Sequence, residues 1–273
     1  MLGKLIKHEF RSTGRGILLL VCLLAVITPL TALYIRAYNS HFLSNNVYLF
    51  SMFRNMAVIL YVLTVIGCFV ATTFILMYRF YKSMVSKEAY LTHTLPVKKS
   101  ALVFSKILVA SIWHIVTVIV CILSVGIFTR ILDLWKFSQL GEAIKQTMMY
   151  LVKGNGSISV LILLIIAVIT QVLTSYAQIF FAFSIGQRVN GHPILGTVGT
   201  YIIYGIVVQI VVSIISAVGM LIYDTEFVHN IIANMSMVSI LNTFICLAML
   251  FNCAIFVVTY LVSVYMFNKK LNI

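Results

Sequence analysis

The amino-acid sequence predicts an all-α integral membrane protein with six transmembrane helices. Of its 273 residues, 62% are hydrophobic and 9% are charged, whereas a soluble domain carries about 45–50% apolar and about 25% charged residues. The chain also contains six apolar runs, each long enough for a helix that crosses a bilayer. We therefore expect a single transmembrane domain over residues 1–273, with no room for a separate soluble catalytic domain.

The predicted spanning helices cover residues 17–35, 56–78, 102–128, 158–184, 194–222 and 239–267. Six crossings place both termini on the same side of the membrane, and thirteen of the 19 Lys and Arg residues fall on that side. Because positively charged segments resist translocation, both termini are predicted to be cytoplasmic. The net charge of +13 lies in short segments between apolar runs and not on one polar face, so we expect no nucleic-acid partner.

The first segment outside the spans is the N-terminus, residues 1–15. Leu2, Ile6 and Phe10 recur every four residues, and basic side chains occupy the other faces. This spacing predicts a helix that lies in the cytoplasmic interface of the lipid bilayer, beside anionic headgroups. A disordered basic tail is the alternative.

The second segment, residues 129–157, follows the third span on the external side. Apolar residues recur there at intervals of three or four over 134–151, Asp133 can cap the start, and Gly154 follows the end. The pattern predicts an external amphipathic helix. It either covers an outer exit or rests on lipid.

The third segment, residues 79–100, reads RFYKSMVSKEAYLTHTLPVKKS and connects the second and third spans on the cytoplasmic side. A helix is expected over 86–95, because Ser86 can cap it, Glu88 lies in its first turn, and Pro96 ends it. A short helix held between two spanning helices would act as a lever if another protein gripped it. The alternative is a solvated loop that is basic because of membrane topology.

Residues 88–97, EAYLTHTLPV, resemble the E-x-Y-L-T-x-T-L-P-V signature of bacterial ABC-2 type permeases, the membrane subunits of a class of ABC exporters. Residues 4–11, KLIKHEFR, are similar to the K-x-E-F-x helix that opens many of them. His93 departs from the pattern, because relatives often carry an apolar or small residue there. The resemblance implies a protein of the bacterial cell membrane that exports an amphipathic peptide or other apolar cargo.

In that family the N-terminal segment forms a cytoplasmic connecting helix, and the segment after span two is the coupling helix that docks on an ABC ATPase subunit. A second permease copy, identical or similar, completes the transporter. The resemblance implies these ATPase-contact positions: Tyr81, Lys82, Glu88, Tyr90, Leu91, Thr92, Leu95 and Pro96.

Several motifs of enzymes and carriers do not occur in the sequence. There is no G-x-x-x-x-G-K-[ST] loop, so we expect no enzyme activity and no cofactor in this chain, with ATP and Mg bound by the partner subunit. The 5 Cys lie in apolar runs without a C-x-x-C pair, and no H-E-x-x-H occurs, so no metal site is expected. All acidic residues lie outside the predicted spans, which disfavours a proton- or sodium-coupled secondary carrier.

The candidate substrate pathway consists of polar residues at membrane depth. Gln171, Thr174 and Gln178 share one face of the fourth span, and His114 lies in the third span. The alternative for these residues is hydrogen-bonded packing between helices. An alternative function also stays open: an ATPase-independent six-span protein, such as a sensor or immunity component that sequesters a peptide.

Small residues recur in the fifth span, including Gly196, Gly199, Gly205 and Gly219. Such residues let two helices approach closely. The approach could occur within the chain or between two copies, and the pattern is compatible with both.

Overall fold

The computed structural model describes residues 2–39, 47–86, 97–131, 142, 146, 157–189, 192–223, 225 and 235–269. These residues form six long α-helices: α1 (Leu2–Asn39), α2 (Val47–Met84), α3 (Lys99–Ile131), α4 (Ser157–Gly186), α5 (Pro193–Tyr223) and α6 (Met237–Lys269). Each is long and apolar enough to cross a membrane, and each contains one of the predicted spans. The prediction of an all-α protein with six membrane-spanning helices is thereby confirmed. Helices suit these apolar runs, since a helix satisfies its backbone hydrogen bonds internally in lipid.

The N-terminal segment is helical, as predicted, but no break separates it from the first span. α1 is one helix of 38 residues, about 57 Å long at 1.5 Å per residue. That length exceeds the hydrocarbon core of about 30 Å. The predicted interfacial helix is therefore the first part of α1.

Two other predicted segments lie largely outside the described residues. Of the external amphipathic segment, residues 129–131 end α3 and Ser157 begins α4. Between these helices Glu142 and Gln146 are described, and both are helical and exposed. Of the predicted coupling helix, residues 87–96 lie outside the described part of the chain, while Ser86 ends the turn that follows α2. The helices predicted for these segments stay predictions.

The chain divides into two compact units. Unit 1 comprises Met1–Arg79 and Leu108–Thr147, and unit 2 comprises Phe80–Ile107 and Met148–Ile273. The boundary falls inside α2 and α3, so the ends of these helices that flank residues 87–96 belong to unit 2.

Aromatic side chains pack the three helices of unit 1. Tyr61 of α2 stacks on Phe128 of α3, with ring centroids 3.9 Å apart, and buried Ala32 and Ile35 of α1 pack in the same cluster. Hydroxyl groups reinforce this packing, because the Ser124 hydroxyl lies 2.7 Å from that of Tyr61 and 2.7 Å from that of Thr28, which lies on α1.

Nearer the start of α1, a second aromatic contact joins α1 to α3. Phe10 stacks on Trp113 at 4.5 Å. Gly14, one turn further along α1, lies so close to the same indole that a Cβ atom there would come within 2.9 Å of it. The Glu9 Oε2 atom lies 3.9 Å from the Nε atom of Arg79. This ion pair joins the start of α1 to the last residue of α2 that belongs to unit 1.

In unit 2, α4 packs against both α5 and α6. Its buried face includes Tyr176, Phe180 and Ala182. α5 is the least buried helix, and among its described residues only Thr197 is buried. The exposed side chains of α5 are overwhelmingly apolar, as expected for a helix in contact with lipid or another transmembrane surface.

Candidate functional site

The end of α2 is anchored in unit 2 by a cluster of aromatic rings. Phe80, which is 2% exposed, stacks on Phe180 of α4 with ring centroids 3.6 Å apart and planes within 7°. It also contacts Phe183 of α4 at 5.9 Å and Phe267 of α6 at 6.2 Å. We refer to Phe80, Phe180, Phe183 and Phe267 as the aromatic anchor. It attaches the last turn of α2 to α4 and α6 together.

The start of α3 is attached to α6 by polar contacts. The Lys99 ammonium donates a 2.7 Å hydrogen bond to the backbone carbonyl of Phe267, one of the last carbonyls of α6, which has no partner within the helix. The Tyr260 hydroxyl donates to the carbonyl of Ser100 at 3.0 Å. The ring of Tyr260 also meets Phe104 edge-on at 6.2 Å. The cation at the C-terminal end of α6 is further favoured by the helix dipole.

Both flanks of residues 87–96 are therefore attached to α6, and the α2 flank is attached to α4 as well. On the N-terminal side of the segment, α2 is held by the aromatic anchor. On the C-terminal side, α3 is held by the contacts of Lys99 and Tyr260. A force applied to the segment would reach α4 and α6 through the α2 flank and α6 through the α3 flank.

Two predicted ATPase-contact residues are described. Tyr81 is half-buried and its ring tilts against Phe183 at 5.9 Å, while the side chain of Lys82 is exposed. The carbonyl of Tyr81 accepts the N–H groups of Val85 and Ser86 at 2.9 and 3.0 Å, which closes the last turn of α2. The other predicted contact positions lie outside the described residues: Glu88, Tyr90, Leu91, Thr92, Leu95 and Pro96.

The polar residues predicted to share one face of α4 differ in their exposure. Gln171 is exposed, Gln178 is half-buried, and Thr174 is 1% exposed. The Thr174 hydroxyl donates to the carbonyl of Thr170 at 2.8 Å and lies 3.4 Å from the carbonyl of Asn252 on α6. The Thr174 hydroxyl thus contacts α6, and on this face Gln171 and Gln178 stay candidates for the pathway.

His114, the remaining pathway candidate, lies in unit 1. It is half-buried and meets Phe69 of α2 edge-on at 4.7 Å. The next residue towards the N-terminus, Trp113, is 5% exposed, and its indole N–H has no hydrogen-bond partner among the described residues. Among the residues that the structure describes, no three His, Cys, Asp or Glu side chains come together as metal ligands would.

Sequence reasoning missed the aromatic anchor and the role of Lys99. The phenylalanines lie within apolar runs, where a ring that joins helices looks like one that faces lipid. Lys99 counted only as one of the positive charges that set the topology. The sequence offered one signal, which is that Phe180 and Phe183 lie three residues apart at the C-terminal end of the fourth span.

Comparison of this chain with models of protein families, with curated proteins and with solved structures finds no match. The six membrane-spanning helices and the attached flanks of residues 87–96 are thus the observations on which a function can be built.

Proposed function

We propose that this chain is the permease subunit of an ATP-driven exporter of the ABC-2 type in the bacterial cell membrane. It would move an amphipathic peptide or other apolar cargo outward by alternating access. The signature at residues 88–97 supports the family. The observation that carries the mechanism is the attachment of both flanks of this segment to α6, and of the α2 flank to α4 as well.

In this proposal a separate ABC ATPase, with its ATP and Mg, docks on residues 87–96, and a second permease copy completes the transporter. ATP binding moves the segment, and the aromatic anchor passes the motion to α4 and α6. α4 carries Gln171 and Gln178, so the polar face would change its surroundings when the helix moves. The free energy for this change comes from ATPase binding that differs between the two states.

Co-purification tests the docking step. The ATPase should co-purify with the wild-type chain, and its hydrolysis rate should change when the chain is present. Glu88→Ala combined with Tyr90→Ala should weaken the association or abolish transport, because both residues would face the ATPase. Glu142→Ala, which changes an exposed acid on the predicted external side, is the matched control and should leave both intact. Absence of any associated ATPase would favour the ATPase-independent alternative.

The transmission step has its own test. Phe80→Leu removes the ring that stacks on Phe180 but keeps an apolar side chain, so the ATPase should still bind while cargo transport falls. Phe74→Leu changes a phenylalanine of the same helix that is 66% exposed and should transport normally. Equal transport by the two variants would show that the aromatic anchor does not transmit motion.

The pathway is tested at the two glutamines. Replacing Gln171 and Gln178 by Leu should abolish cargo stimulation of the ATPase, while basal hydrolysis and thermal stability persist. If the glutamines only pack, stability should fall modestly, since interhelical hydrogen bonds in bilayers average about 0.6 kcal/mol. Retained stimulation together with lowered stability would remove both residues from the pathway.

A further inference from the structure

A cationic corner lies at the end of α4 and α6 in unit 2. Arg188 follows α4 in the turn before α5, and its Nη2 group donates to the Met266 sulfur of α6 at 2.8 Å. Lys99 donates to the carbonyl of Phe267, the next residue of the same helix. Two cationic side chains thus contact adjacent residues at the end of α6.

Within the described part of unit 2, no carboxylate pairs with the Arg188 guanidinium. Its Nε is buried and makes no hydrogen bond to a described residue, and the thioether that its other end contacts is a weak acceptor. The described residues of unit 2 include no Asp or Glu at all, although they include Lys82, Lys98, Lys99, Lys106 and Arg188. A buried donor on a charged group is costly without a partner, so the corner is suited to an anion from outside the chain.

The turn that carries Arg188 is closely packed, which restricts the position of the side chain. The Gly186 backbone lies directly against Thr197, and a Cβ atom at Gly196 would approach the Gly186 carbonyl within 2.5 Å. Backbone hydrogen bonds from Arg188 to Ile185 and from the next residue to Gly186 close the turn.

An apolar groove begins further along α6. It has a volume of 240 Å³ and is lined by residues of α5 and α6: Tyr204, Val207, Val208, Val211, Phe251, Ala254, Ile255, Val258 and Thr259. Thr259 and Met266 are seven residues apart, which is about 20° short of two helical turns. Met266, with its contact to Arg188, therefore continues the face of α6 that lines the groove.

The dimensions fit one leaflet of a bilayer. From Met266 to Phe251 the helix rises about 22 Å, and half of a bilayer with its headgroups is about 20–22 Å thick. The cation lies at the end of a spanning helix, where headgroups are found, and the groove lies within the span.

We propose that an anionic phospholipid binds unit 2, with its phosphate at Arg188 and an acyl chain in the groove between α5 and α6. A phosphodiester offers several oxygen acceptors to a guanidinium, and anionic lipids are attracted to basic segments at the cytoplasmic surface. This site goes beyond the proposed transport function and does not depend on it.

Lipid titration of the purified full-length chain in detergent, followed by native mass spectrometry, tests the headgroup. Phosphatidylglycerol should bind about tenfold more tightly than phosphatidylcholine of the same chain length, because its headgroup is a net anion, whereas the choline ammonium cancels the phosphate charge of phosphatidylcholine. Arg188→Gln should abolish this preference. Arg130→Gln changes an exposed arginine at the end of α3 that is opposite to Lys99, and this variant should keep the preference for phosphatidylglycerol.

A second pair of variants tests the groove and keeps the proposal falsifiable if Arg188→Gln fails to fold. Ala254→Phe fills the groove at an exposed position and should weaken phosphatidylglycerol binding, whereas Ala248→Phe, exposed on the same helix outside the groove lining, should not. Equal effects of the two would overturn the groove assignment.

Three further outcomes would overturn the proposal. The first is a phosphatidylglycerol preference that survives Arg188→Gln. The second is inorganic phosphate that displaces the lipid as effectively as added phosphatidylglycerol, since the corner would then bind free phosphate. The third is a wild-type chain without headgroup preference, which would leave the guanidinium to a carboxylate of a protein partner.

Discussion

Replacing Ser124 by Ala is expected to destabilise unit 1 more than removing the hydroxyl of its neighbour Tyr61. The hydroxyl groups of Tyr61, Ser124 and Thr28 form a chain of hydrogen bonds that ends at a backbone carbonyl, and this carbonyl determines which hydroxyl donates to which. The Thr28 hydroxyl donates to the carbonyl of Leu24 at 2.7 Å, and a carbonyl can only accept. Because each hydroxyl has one proton, Ser124 must then donate to Thr28, and Tyr61 must donate to Ser124.

This order sets the expected magnitudes. Ser124→Ala breaks two hydrogen bonds between helices, one with the Tyr61 hydroxyl and one with the Thr28 hydroxyl. At about 0.6 kcal/mol each, the loss is about 1.2 kcal/mol. Tyr61→Phe breaks one bond, keeps the ring stacked on Phe128, and should cost about 0.6 kcal/mol.

The double variant gives the sharpest comparison. Once Ser124 is Ala, Tyr61→Phe can no longer break the bond to Ser124. The double variant should therefore cost less than the sum of the two single variants, and the two changes should be coupled by about 0.6 kcal/mol in a double-mutant cycle.

Reversible unfolding of the purified protein in bicelles provides the measurement. Ser216→Ala is the control, because Ser216 is exposed on α5 and bonds only to a carbonyl of its own helix. Its effect should stay within about 0.5 kcal/mol. Equal costs for Ser124→Ala and Tyr61→Phe, or strictly additive costs in the double variant, would refute the assigned order of donors.

Two further predictions concern the corner between α4 and α5 and the topology. Gly186→Ala should destabilise the protein by about 1–3 kcal/mol or more, because a Cβ atom there would overlap the backbone of Thr197, whereas Gly199→Ala, with open space beside it, should be neutral in the same unfolding assay. Lys98→Cys should react with an impermeant thiol reagent only from the cytoplasm, and Lys145→Cys only from outside; the reverse pattern would invert the predicted orientation and remove the docking proposal.

The helices were the most predictable part of this protein. Every predicted span lies inside one observed helix, and the ends differ by one or two residues in α4, α5 and α6 and by three or more in α1, α2 and α3. The largest difference is at α1, where residues 1–15 continue the first span without a break. The amphipathic spacing of Leu2, Ile6 and Phe10 predicted a helix, but spacing carries no information on whether two consecutive helices join.

The candidate site was less predictable. Thr174 and the two glutamines share a face of α4 by sequence, yet Thr174 packs against α6 while Gln171 is exposed. The depth of burial of each residue depends on where the neighbouring helices cross, and helical periodicity does not specify that.

The sequence by itself determined that this chain is a multi-pass membrane protein of six helices, because lipid imposes long apolar runs that are visible without any partner. Only the tertiary structure decided how these helices contact one another. Gly196 packs against Gly186 within the chain, whereas Gly199 and Gly205 face open space, although all three are glycines. Phe80 likewise joins α2 to α4 and α6 while Phe74 of the same helix is exposed. The physical reason is that an apolar side chain in a membrane is as favourable in contact with lipid as in contact with protein. Hydrophobicity therefore identifies the spanning segments, and only close packing between side chains determines which helices contact each other.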